Sequence, residues 1–166
     1  MTDAASPELE SRRKFLVVAD DSPEFAAALK YACRRARSTG GCVAMLKVVA
    51  PAEFEHWSGV REEIERQERE EAETLLRSLA AQVVAETGLP PEFVIKHADS
   101  VRAALKQVIA ADPAIKVLVL ATSTAGRGPG PLISAIAKEG VGFSGRKLPV
   151  TVVPGDLTDA EIEDLG

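Results

Sequence analysis

Cysteine and histidine are scarce in this chain, with two of each among 166 residues. Cys33 and Cys42 have no C-x-x-C partner and no histidine nearby, which argues against a disulfide framework, a zinc site and a nucleophilic thiol. A reducing compartment follows from that usage. His56 and His97 lie far apart and lack metal-ligand spacing, so no metal site is expected. Long apolar runs are missing as well. None approaches the roughly 20 residues needed to span a bilayer, and the opening "MTDAASPELESRRK" has no apolar h-region of a secretory signal. The expectation is a cytoplasmic protein without a membrane partner. No long run of Lys or Arg occurs, and the formal net charge of −5 argues against nucleic acid as a partner. A G-x-S-x-G elbow and a Walker lysine are also absent, which speaks against a serine hydrolase and an efficient NTPase.

What the chain does contain is 46% hydrophobic and 27% charged residues, a balance that suits one soluble domain with a real core. "FLVVA" (15–19) is a short β-rich apolar run, the pattern of a strand buried on both faces. Ser22-Pro23-Glu24 then opens a helix, with Ser22 as N-cap. Phe25, Ala28, Leu29, Ala32 and Ala36 form its apolar stripe, and Gly40-Gly41 ends it. "CVAMLKVV" is a second strand, followed by a long helical pattern from about Trp57 to Glu86. The middle of that helix, "REEIERQEREEAE", has seven Glu against three Arg, and reads as a solvated face supported by Glu62/Arg66 and Glu65/Arg69. Leu75, Leu76, Leu79 and Val83 supply its buried stripe.

"FVIKH" predicts a third strand, and Ser100 caps the helix "VRAALKQVIAA". "IKVLVLA" predicts the fourth strand, which runs into the loop "TSTAGRGPGP" and a short helix over 132–138. "PVTVV" predicts the fifth strand, and Thr158 and Glu161 have capping-box spacing in a terminal helical turn. Strands alternating with helices mean a parallel α/β sheet covered on both faces. The organisation is a lead-in over 1–12, a domain over 13–155 and a tail over 156–166.

In such a sheet a ligand sits beyond the carboxyl ends of the strands, where strand order reverses. The unusual residues lie at the end of strand one, Asp20 to Ser22, and after strand four, Thr122 to Pro131. The second segment can cradle an anion. Gly126, Gly128 and Gly130 allow close approach of backbone N–H groups, Arg127 adds charge, and Ser123, Thr124 and Ser134 add donors. The competing view is a Pro-stiffened connection without chemistry. A phosphotransfer receiver would want a phosphoacceptor such as Asp99, a hydroxyl such as Thr122 or Ser123, and a lysine ending strand five. Lys147 comes before that strand, and the helix between strands two and three is too long.

A second template covers far more. Over about 13–155 the sequence resembles the universal stress protein family. The resemblance rests on "FLVVADDSPE" where the family has strand, Asp-Gly-Ser and helix, on "LKVV" before a long helix, on "VLVLATS" entering a small-residue loop, and on "LPVTVVPG" near the end. It implies an open five-stranded parallel sheet of order 3-2-1-4-5, Rossmann-like and of the adenine-nucleotide-binding type. It also implies a homodimer through the last strand, Pro149, Val150, Thr151, Val152 and Val153. Some members bind ATP and others bind no nucleotide. Here Asp20 takes the place of the family's aspartate, Asp21 replaces a glycine, and Val48 would lie near an adenine. The glycines of the ATP motif, Gly-x2-Gly-x9-Gly followed by a hydroxyl, fall on Ala121, Thr124 and Ser134, with Ala135 at the hydroxyl position. The resemblance therefore implies a stress-response regulatory domain with an ATP or ADP site, Mg²⁺ accompanying any nucleotide, and at most weak ATP hydrolysis. The alternative is a nucleotide-free dimeric interaction module.

Overall fold

The computed structural model describes residues 12–50, 58–124, 128–140 and 145–166. Five strands form one parallel sheet: β1 (Lys14–Val18), β2 (Cys42–Val49), β3 (Glu92–His97), β4 (Ile115–Ala121) and β5 (Val150–Val153). Their order is β3-β2-β1-β4-β5, as the resemblance implies. Val17 lies beside Met45 on one side and Val119 on the other, so β1 is central. The helices are α1 (Phe25–Thr39), α2 (Ser58–Thr87), α3 (Val101–Ala111), α4 (Pro131–Glu139) and α5 (Asp159–Leu165). None is long and apolar enough to cross a membrane.

Alternation along the strands sends side chains to two separate cores. Phe15, Val17, Val43, Met45 and Val119 meet α1 and α2, where Leu29, Ala32, Cys33, Leu76 and Val83 close the layer. Leu16, Ala44, Leu46, Leu118 and Leu120 meet α3 through Ala104, Leu105, Val108 and Ile109. The side of α1 turned to the sheet carries mostly alanine, which lets the helix approach it closely. Along α2, Ala72, Leu76 and Val83 are buried while Leu75 is only half-buried, so the stripe sits slightly off the expected one.

The α2 ion pairs also differ from expectation. Arg61 reaches Glu65 at 3.1 Å and Arg66 reaches Glu63 at 2.6 Å, while Arg69 and Arg77 lie 3.6 and 3.7 Å from Glu73. Spacing alone does not choose between carboxylates on an acid-rich helix. Such exposed pairs are screened by solvent and contribute little to stability.

At the amino end of the sheet, Lys14 is nearly buried between Glu92 at 2.5 Å and Asp112 at 2.6 Å. Burial alone pushes its ammonium pKa down, but the two carboxylates outweigh that and hold it above 10.5. Beside it, the Arg146 guanidinium donates to the carbonyls of Ile109, Asp112 and Ile115 and so satisfies the end of α3. α5 carries the expected capping box between Thr158 and Glu161. It lies on α1, with Ile162 buried and Glu163 paired to Arg34 and Arg37.

Candidate functional site

The carboxyl ends of β1 and β4 carry the chemistry-bearing residues. After β1, the Asp20 Oδ1 accepts from the Ser22 N–H at 2.9 Å and from its hydroxyl at 2.5 Å. This Asx-type turn bends the chain into α1. It also overturns Ser22 as N-cap, because the hydroxyl donates to a carboxylate instead of accepting from the helix. Glu24 holds the cap position, without a side-chain cap bond.

Glu24 reaches across to the loop after β4. Its Oε1 accepts from the Thr124 N–H at 2.8 Å and from the Thr124 hydroxyl at 2.7 Å. Those donors, the backbone N–H foremost, hold the Glu24 carboxyl at about 2 against an ordinary 4.5. The carboxylate is therefore a fixed negative charge tying two walls together. Gly155 completes the junction. A Cβ there would collide with the Thr122 carbonyl and the Glu24 side chain, so only glycine passes. The Gly155 N–H donates to the Thr122 hydroxyl at 3.2 Å, and the Thr122 N–H donates to the Val153 carbonyl at 2.9 Å.

Between these walls lies a crevice of about 610 Å³. Val18, Phe25, Ala28, Val119 and Ala121 make its apolar floor, while Leu132, Ile133 and Ala135 of α4 make the opposite side. Ser100, Val101 and Arg102 bring in the start of α3. Gly130 opens α4 at φ 105, a conformation that requires glycine, and leaves the helix start without a side-chain cap. The Ser100 hydroxyl oxygen accepts from the Ala103 N–H at 3.1 Å, as its cap role predicts, and Arg102 pairs with Glu139.

Of the residues expected at a site, Asp20, Ser22, Ala121, Ser123 and Gly130 line this crevice. Asp21, Val48, Thr122, Thr124, Gly128 and Ser134 are outside its lining. Val48 packs against the α3-side core, Thr122 holds the end of β5, Thr124 faces Glu24, and the Ser134 N–H donates to the Gly130 carbonyl. Gly126 and Arg127 lie outside the described residues, as does His56. Sequence reasoning missed Glu24, Phe25 and the start of α3. The sequence shows Glu24 as a first-turn acid and gives no sign of a partner 100 positions away.

Asp99 is exposed and lies outside the described lining that contains Asp20. Among the described residues no three His, Cys, Asp or Glu side chains are grouped to hold a metal. Burial pushes the Cys33 thiol up to about 12 and raises that of Cys42. Both are buried, Cys33 within the core between the sheet and α1. Chemically, the crevice offers an apolar slot with carboxylate acceptors at its rim.

Several solved structures with the same architecture are described as universal stress proteins. UspA from Lactobacillus plantarum superposes with a TM-score of 0.67 at 19% identity, covering 86% of this chain and 98% of that one. A universal stress protein in complex with cAMP gives 0.60 at 15% identity, covering 88% and 99%. One from Archaeoglobus fulgidus in complex with dAMP gives 0.53 at 16%, covering 86% and 98%. At those identities the likeness shows the fold alone. No curated protein matches the sequence significantly. The family model described as "Universal stress protein family" matches residues 11–139, most of the chain, and the chain belongs to that family.

Proposed function

We propose that this chain is a cytoplasmic, ligand-responsive regulatory domain of the stress response that takes an adenine nucleoside or nucleotide in its crevice. The observation that carries the reading is the crevice itself, which opens beyond β1 and β4, where strand order reverses. Its volume of about 610 Å³ is in the range of small-molecule sites. The apolar floor suits a flat ring, and Asp20 at the rim offers an acceptor to an amine or hydroxyl. Structural relatives in complex with cAMP and dAMP support the same class of ligand. The fit is poorer for phosphates: the motif glycines are replaced, and Asp20 and Glu24 line the crevice. ATP or ADP would need Mg²⁺ to offset those charges.

A second reading, a homodimeric interaction module without nucleotide, has its own support. β5 is the sheet edge, Val152 is 42% exposed, and α5 lies on α1. Such an edge invites pairing with a second strand. Calorimetric titration with adenosine, cAMP, ADP and Mg-ATP separates the two. Saturable binding of any of them supports the ligand-responsive domain, and no heat at millimolar ligand leaves the interaction module.

A further inference from the structure

The loop after β4 is where a phosphate would seek backbone N–H donors, and its donors at Thr124 already hold an anion. That anion is Glu24 of the chain itself, bound by both the N–H and the hydroxyl of one residue. Glu24 is only 8% exposed, and it belongs to the crevice wall while Thr124 does not. The Thr124 donors are therefore taken up by a carboxylate that stands in the crevice wall. The neighbouring wall repeats the pattern. Both Ser22 donors close on Asp20, so the rim at the end of β1 presents carboxylate oxygens, which only accept. Among the described residues, the guanidinium in the lining is that of Arg102, which is paired with Glu139.

We propose that Glu24 makes this crevice selective for an uncharged, donor-bearing ligand, such as a nucleoside, by occupying the Thr124 donors that a phosphate would use. The inference deepens the reading of the crevice as an adenine site and rests on it for the identity of the ring. A phosphate entering beside Thr124 must either displace a carboxylate or sit next to one. Two like charges about 4 Å apart, even when well screened, disfavour binding by about tenfold. A neutral ligand meets no such opposition. Its amine or hydroxyl groups find acceptors in Asp20 and Glu24, and its apolar body meets Phe25, Ala121 and Leu132.

The test uses the intact protein and reads the charge gate separately from the ring. The Thr124 amide resonance is followed while inorganic phosphate is added to wild type, Glu24→Ala and Glu24→Gln. In parallel, adenosine and AMP are titrated by calorimetry. The Thr124 amide should stay still in wild type and move saturably with phosphate in Glu24→Ala. Glu24→Gln keeps an acceptor for Thr124 while removing the charge, and it should narrow the preference for adenosine over AMP by about tenfold. A wild-type Thr124 amide that moves with phosphate as readily as in Glu24→Ala overturns the gate. So does an unchanged adenosine-to-AMP ratio in Glu24→Gln. If phosphate behaves as expected and adenosine fails to bind, the gate stands and only the adenine ring is wrong.

Discussion

Glu24 stands where helix start, β4 loop and crevice wall meet, and its charge has a consequence for acid stability. Its folded pKa of about 2 lies below the ordinary 4.5. The stability it contributes is thus fully present above pH 4.5 and is lost as pH falls toward 2. Thermal midpoints measured across that window should show Glu24→Gln less stable than wild type at neutral pH, with the gap closing as acid is added. A gap of constant size would mean that the Thr124 bonds do not depend on the charge. Lys14 works in the opposite sense. Its folded pKa lies above 10.5, so its contribution is complete below that value and is lost only in strong alkali. Residue by residue, the sequence reveals which types carry charge but not which distant atom each one meets. Ser22 illustrates the limit: as a lone serine before proline it reads as a cap, yet a carboxylate two positions earlier is the stronger acceptor and takes its hydroxyl.

At the scale of elements, hydrophobic periodicity was a good guide. β2, α3 and β4 run over 42–49, 101–111 and 115–121, the bounds their patterns predict. These segments are buried on one stripe or on both faces, so their sequence is constrained throughout. Ends were less legible. β1 runs over 14–18 because Lys14, a charged residue, is buried through its two ion pairs. α1 starts at Phe25 because Asp20 and Ser22 form their own turn first. α5 gives a direct test of how an element is held. It buries Ile162 at 3% exposure and adds exposed ion pairs from Asp159 and Glu163 to α1. Ile162→Ala should therefore cost about 2 kcal/mol, while Glu163→Gln should cost a few tenths of a kcal/mol. Urea unfolding of the two variants checks the ranking. Equal losses would place the anchoring of α5 in its charges.

For the whole molecule, strand–helix alternation gave a parallel sheet, and the family resemblance gave its order and hence the switch point. The crevice's shape did not, because its walls come from segments as far apart in the chain as Val18 and Ala135. The same scale sets the association prediction. If the β5 edge pairs with a second copy, Val152→Lys places a charge on that edge and should convert a dimer to a monomer in light scattering. A wild-type monomer at high concentration would remove the edge-pairing reading. The adenine reading of the crevice has its most direct measurement in the thermal midpoint with and without adenosine, for wild type and for Ala121→Trp, which fills the floor. The account predicts a saturable rise in wild type that is lost in Ala121→Trp. No rise in wild type, or an equal rise in both, would contradict it.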